Sequence, residues 1–256
     1  MVRGLYSAYT GMLSEQKRLD VISNNIANSA TIGYKKEGVT NQSFDELLTL
    51  KVKDATVGGN QVIGGMSLGV KVGEVYTNYG QGSLRETGNT FDLAIEGNGF
   101  FTIGVVDAEG NEAIKYTRDG SFKLNRDGYV VDSQGNYLIG EDGYVQIPTD
   151  ASEIVIDSLG NITADGEYVN RLQLTDFEDY SYVKKYGDNL YEAVDGATEK
   201  EVSGLVHQGY LEQSNVQAVE EMVDMITITR AYESNQKVIS TIDSMLEKTV
   251  NTVGKL

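Results

Sequence analysis

The chain has 256 residues, with 21 lysines and arginines against 38 aspartates and glutamates, a formal net charge of −17. That charge repels nucleic acid and anionic membrane surfaces, so neither is an expected partner. There is no cysteine, which removes disulfides, thiolate nucleophiles and cysteine-based metal centres, and no apolar run approaches the roughly 18 residues that span a bilayer. A hydrophobic content of 40% is low for a compact globule and leads us to expect an elongated chain or surfaces completed by other subunits.

Residues 1–34 carry a helical period. Leu5, Ala8, Met12, Leu19, Ile22 and Ile26 recur at spacings of three and four, interrupted only by Glu15, and Tyr9 and Leu13 widen the stripe. Asn24, Asn25, Asn28 and then Gly33 supply stop signals. About 25 helical residues would span roughly 38 Å. The first ten residues lack a basic flank followed by an apolar block, so no Sec-type leader is expected.

Residues 35–72 read as an extended linker with one short helical turn at Phe44–Leu48 and a glycine-rich run at Val57–Gly65. From 73 to 205 the period falls to two, in short runs such as Phe122–Leu124, Tyr129–Val131 and Ile154–Ile156. The turn dipeptides of this region are Asn98-Gly99, Asp119-Gly120, Asp127-Gly128, Gly135-Asn136, Asp142-Gly143, Gly160-Asn161 and Asp165-Gly166. Turn dipeptides at this spacing mark a hairpin-rich β region of about ten strands.

Residues 206–256 return to the helical period through Met225, Ile228, Tyr232, Ile239, Ile242, Leu246 and Val253. A second apolar line adds Val216, Val219, Met222, Val223 and Ile226. About 38 helical residues would reach roughly 57 Å. Ser214 is the expected N-cap, with Gln217 completing a capping box. The expected fold is therefore α+β: long terminal helices pairing as a coiled-coil-like domain, with a mainly antiparallel β domain inserted between them.

The chemistry-bearing residues argue against catalysis. His207 is the sole histidine and has no cysteine or second histidine to complete a common metal site. No Gly-x-Ser-x-Gly elbow occurs, and the glycines at 97 and 99 are followed by Thr102 where a dinucleotide loop needs glycine. Glu220, Glu221 and Asp224 could be paired carboxylates, but on an exposed first helical turn they read as a solvated face that complements the helix dipole. Arg230, inside the apolar stretch, is expected to snorkel, to pair with Glu233 or Asp224, or to form an ion pair between subunits. No catalytic residue, metal ligand or cofactor is expected.

Three groups of residues then converge. Gly4-Leu-Tyr-Ser-Ala8, Leu19-Asp-Val-Ile-Ser-Asn-Asn-Ile-Ala-Asn28 and Thr31-Ile-Gly-Tyr-Lys35 stand at one end. Gln208-Gly-Tyr-Leu-Glu-Gln-Ser-Asn-Val216, Glu220-Glu-Met222 and Arg230-Ala-Tyr-Glu233 stand at the other. Thr87-Gly-Asn-Thr-Phe-Asp-Leu-Ala-Ile95, Gly97-Asn-Gly-Phe-Phe101 and Tyr116-Thr-Arg-Asp-Gly-Ser-Phe122 lie between them. Together they resemble the bacterial flagellar rod and hook protein family over essentially the whole chain.

The resemblance implies a non-enzymatic subunit of the basal body. It would polymerise with itself into a helical tube, meet adjacent rod and hook proteins, and leave the cell unfolded through the flagellar export apparatus without a cleaved leader. It makes the helical seams the assembly surface, with Asn24, Asn25, Asn28, Gly33, Ser214, Asn215, Glu221 and Met222 as motif residues. The competing reading is a soluble ligand-binding or carbohydrate-active β domain with helical appendages, which would not need apolar positions along some 38 residues. Limited proteolysis of the isolated chain separates the two. Assembly-dependent ends predict early cleavage of both termini around a resistant core of roughly residues 75–205, and uniform resistance contradicts it.

Overall fold

A computed structural model describes residues 2–44, 47–51, 61–66, 69–106, 112–151, 153–187, 189–200, 202 and 204–254. They form two compact units: residues 1–27, 36–78 and 217–256, and residues 28–35 and 79–216.

The first unit is built on two helices, α1 (Val2–Ala27) and α2 (Ala218–Val253), and four strands, β1 (Glu37–Ser43), β2 (Leu47–Lys51), β3 (Gln61–Met66) and β4 (Val70–Thr77). Neither helix contains proline, and each has the apolar stripe that a packed helix needs. They run antiparallel. A side chain begun at Gly4 would touch Ile242 Cδ1 at 3.6 Å, and one begun at Gly11 would meet Asn235 Nδ2 at 3.1 Å. Asn25 bonds Glu221. The register is therefore constant over the length of α1.

The described residues of the expected linker include strands held by backbone pairing. β1 pairs with β4 and β2 with β3, both antiparallel. Phe44–Leu48 does not supply the expected helical turn, since Leu47 and Leu48 belong to β2. Residues 57–60 of the glycine-rich run lie outside the described residues, and 61–65 belong to β3. The sequence hid β1 because Glu37–Ser43 is almost wholly polar, so no alternation marks it. It is held by what it touches. Ser14 Oγ on α1 donates to Asn41 Oδ1 at 2.7 Å. At a bulge in β1, Thr40 Oγ1 accepts from the Glu74 amide at 2.9 Å and donates to its carbonyl at 3.1 Å.

The second unit is a β structure whose main sheet runs, in spatial order, through Val183–Tyr186, Leu190–Ala193, Glu112–Thr117, Phe100–Val106, Tyr137–Gly140, Val130–Val131 and Lys123–Leu124, all antiparallel. Ile154–Ile156, Asn161–Ala164 and Glu167–Arg171 form a separate three-stranded sheet. There are 17 strands between Leu84 and Glu212 among the described residues, more than the ten expected, because turns break the chain into pieces as short as two residues. Asp165 and Gly166, both at positive φ, make the tight turn between the last two strands of the small sheet.

The central strand Phe100–Val106 is buried on both faces. Phe101 and Ile103 enter a core with Leu93, Phe122, Leu138 and Ile147, while Phe100 turns to a second cluster with Tyr116, Phe177 and Tyr191. Phe101 and Phe122 meet edge to face at 5.3 Å. Truncating the fully buried Phe101 removes the centre of that core, so Phe101→Ala should cost about 3–5 kcal/mol in denaturant unfolding. A loss below ~1 kcal/mol would contradict this packing.

Candidate assembly site

Along α1, Ala8 is buried and Leu5, Met12, Leu19, Ile22 and Ile26 are half-buried. Along α2, Ile228 is buried and Met225, Tyr232, Ile239 and Ile242 are half-buried. Leu246 continues the seam face four residues beyond Ile242 but is exposed, and Arg230 is exposed on the other side of the helix. Arg230 sits two residues from Ile228, about 200° round the helix, and makes no ion pair with Glu233 or Asp224 among the described residues.

The seam ends in a polar cluster within the same unit. Asn25, fully buried, donates from Nδ2 to the Glu37 carbonyl at 2.8 Å and to Glu221 Oε2 at 3.1 Å, and accepts from the Glu37 amide at 3.0 Å. Lys36 Nζ forms an ion pair with Glu221 Oε1. Glu221 is thus buried, and the solvated-face reading holds only for Glu220 and Asp224, which are exposed. Asn24 is exposed. Asn28 is half-buried, and Thr31 Oγ1 donates to its Oδ1 at 3.2 Å.

Ser214 does not cap α2. Its hydroxyl accepts from the Val216 amide at 3.2 Å, a local turn. The N-cap is Gln217, without a side-chain hydrogen bond, and Glu220 and Glu221 supply negative charge to the first turn. Asn215 Nδ2 donates to the Gly80 carbonyl at 2.9 Å.

In the second unit a second buried network surrounds Glu212. Its Oε1 receives Lys35 Nζ at 2.7 Å and the Gly82 amide at 2.8 Å; its Oε2 receives Arg118 Nη1 at 3.1 Å. The side chains of Lys35, Glu212 and Arg118 are 1%, 1% and 3% exposed, which places all three charges out of water. Lys35 also donates to the Gly80 carbonyl at 3.0 Å, and Arg118 Nη2 to the Gly97 carbonyl at 2.7 Å. The Arg118 guanidinium lies 5.4 Å from the centre of the Phe100 ring. Gly33 closes the site. Its φ of +68° suits glycine, a Cβ there would lie 2.5 Å from the Arg118 carbonyl carbon, and its amide donates to the Glu212 carbonyl at 2.8 Å.

Two consecutive lysines respond oppositely to their glutamates. Burial pushes the Lys35 ammonium below its ordinary value of 10.5, against the pull of Glu212 and with help from Arg118. The hydrogen bond to Glu221 holds Lys36 above that value, because the side chain is more exposed and loses less hydration. Lys36 therefore favours the fold below pH 10.5, and the contribution disappears as pH rises through its raised value.

Lys35, Arg118 and Glu212 stand in the motifs that carry the family resemblance, but nothing in the sequence paired them. The available signal was a charge flanked by large apolar or aromatic residues: Tyr34-Lys35, Leu211-Glu212 and Tyr116-Thr-Arg118. His207 is half-buried, with Nε2 2.6 Å from Glu96 Oε2. Among the described residues no group of three or more histidine or acidic side chains is placed to hold a metal, and no helix is long and apolar enough to cross a membrane.

Apolar side chains also point outward. On α1 these are Tyr6, Tyr9 and Leu13; on α2 they are Val219, Met222, Val223 and Ile226, then Val238, Met245 and Val250. Val219 is 77% exposed, so the seam with α1 leaves it uncovered.

Three family models match the chain: "Flagella basal body rod protein" over residues 5–35, "Flagellar hook protein FlgE/F/G D1 domain" over 94–164, and "Flagellar basal body rod FlgEFG protein C-terminal" over 207–252. The flagellar basal-body rod protein FlgG of Agrobacterium fabrum is 38% identical, over 95% of this chain and 97% of the relative. FlgG of Bacillus subtilis is 34% identical over 98% and 99%. The rod protein FlgF of Caulobacter vibrioides is 34% identical over the full length of both. The matched ends contain the residues of the two buried networks at Asn25, Lys35, Glu212 and Glu221.

Glu212→Gln would leave the Lys35 and Arg118 cations buried without a counter-charge. It should cost about 3–5 kcal/mol in denaturant unfolding, and a variant as stable as the parent would contradict the assigned role.

Proposed function

From the premise that the chain belongs to the flagellar basal-body rod protein family and is a structural subunit of that rod, we propose that it polymerises with itself through its terminal helices into an open helical tube. The observation that carries this reading is the exposed apolar face of α2 at Val219, Val223 and Ile226, on a helix whose opposite face α1 already covers. A contiguous exposed apolar row on a strongly acidic chain marks a protein contact. A contact between two different faces, repeated without closure, generates a helix of subunits.

The pairing of α1 with α2 is read as coiled-coil-like. The less exposed α2 positions Glu221, Met225, Ile228, Tyr232, Asn235, Ile239 and Ile242 alternate steps of four and three. Filled antiparallel seams of this length resist bending and twisting, which suits a subunit that passes motor torque to the hook. The names of the relatives support placing other rod and hook proteins at its ends. A chain without cysteine, whose buried ion networks form only once distant segments meet, suits export in an unfolded state through the flagellar apparatus. On this reading it has no enzymatic role.

Ile226→Asp tests the reading because it charges the outward face and spares the seam. The variant should unfold at the same denaturant midpoint as the parent, form no rod and leave cells non-motile. Normal rods and swimming would contradict it.

A further inference from the structure

The small sheet of the β-rich unit has two edges, and the chain seals only one of them. Ile154–Ile156 is the first edge strand and Glu167–Arg171 the second, with Asn161–Ala164 between them. Along the first edge the Gln208 side chain stands in for a neighbouring strand. Its Oε1 accepts from the Ile156 amide at 3.1 Å, and its Nε2 donates to the Ile154 carbonyl at 3.1 Å. Just beyond, the Val206 amide donates to the Ser158 carbonyl at 2.9 Å. Along the second edge only the far end is met. The Glu141 amide donates to the Arg171 carbonyl at 2.8 Å, and the Asp142 amide to Asn170 Oδ1 at 3.2 Å. No strand among the described residues pairs with the outer side of Glu167, Tyr168 and Val169.

An open slot of about 470 Å³ runs beside that stretch. Glu167, Tyr168 and Val169 line it on the strand side, and Asp127 with residues 146–149 lines it from across. The buried Ile147 and Ala164 make part of its lining apolar. Tyr168 is 58% exposed. Asp127 and Glu167 are exposed, and neither forms an ion pair among the described residues. The slot thus combines an unpaired backbone edge, an apolar lining, an aromatic ring and two carboxylates without a counter-charge.

We propose that this slot takes a short extended segment of a partner protein, which adds a strand at Glu167–Val169 and sets a lysine or arginine between Asp127 and Glu167. An edge strand offers its free backbone groups to an incoming chain. The aliphatic stem of a lysine or arginine suits the lining at Ile147 and Ala164, while its charged head reaches the carboxylates. An aromatic ring beside those carboxylates favours the same charge. A chain of net charge −17 steers a basic segment toward itself and repels an acidic one. A bulge at Val169, where Ile162 faces Asn170 and Thr163 faces Tyr168, bends the edge. The bulge and the two carboxylates together refuse indiscriminate sheet growth and keep the edge for a short basic segment. The contact makes no use of the terminal helices and is independent of self-assembly.

The probe is a fluorescein-labelled Lys-Val-Lys-Val-Lys-Val peptide, titrated with the full-length chain and followed by fluorescence anisotropy. The chain should bind it. It should bind neither the Glu-Val counterpart nor the Lys-Val peptide methylated at every backbone amide. Asp127→Asn with Glu167→Gln should weaken binding about tenfold. Glu178→Gln with Asp195→Asn removes the same charge from exposed positions that do not line the slot, and should change binding by less than about twofold. Equal losses in the two double variants would mean diffuse attraction to an acidic chain, and binding that survives methylation would mean no added strand. Either result, or no binding of the Lys-Val peptide, overturns the proposal.

Discussion

Glu212 carries one negative charge into a site that also holds the Lys35 ammonium and the Arg118 guanidinium, with all three side chains removed from water. A charge buried alone costs several kcal/mol. None of the three is tolerable until the others arrive, together with the Gly82 amide and the Gly80 and Gly97 carbonyls. Lys35 and Glu212 are 177 residues apart in sequence. The buried network of the β-rich unit therefore joins both of its ends. Gly33 belongs to the same constraint, because a side chain there would strike the Arg118 backbone.

The helical unit solves a similar problem with a different balance. Asn25 satisfies both backbone groups of Glu37 and one oxygen of Glu221, while Lys36 neutralises the other. A buried amide with complete hydrogen bonding fixes the register of two helices that apolar packing alone would allow to slide. Once the register is fixed, the outward apolar rows are fixed too. Those rows are the surface that the proposed self-assembly would use, and they stand exposed on a chain of net charge −17.

The sequence made the helices legible because their apolar positions recur over many turns, and Asp-Gly and Gly-Asn pairs located five hairpins, whereas Asn98-Gly99 and Asp119-Gly120 stand between strands that do not pair with each other. It misread Glu37–Ser43, whose strand is specified by hydrogen bonds from α1 and β4 and not by its own polar side chains. It misread Ser214, whose hydroxyl closes a turn two residues ahead instead of capping α2. It assigned Glu221 to solvent, because a carboxylate in a first turn ordinarily faces water and only the distant Asn25 and Lys36 make burial tolerable here. The central pairing of Lys35, Arg118 and Glu212 could not be read at all. Local patterns carry no information about which buried charges meet across the chain.

The most direct measurement is electron cryomicroscopy of whatever the purified full-length chain forms as its concentration is raised. An open helical tube, with α1 and α2 of neighbouring copies in contact, is the result this account predicts. A chain that stays monomeric, closes into a dimer, or builds a tube joined only through its β-rich units would contradict it.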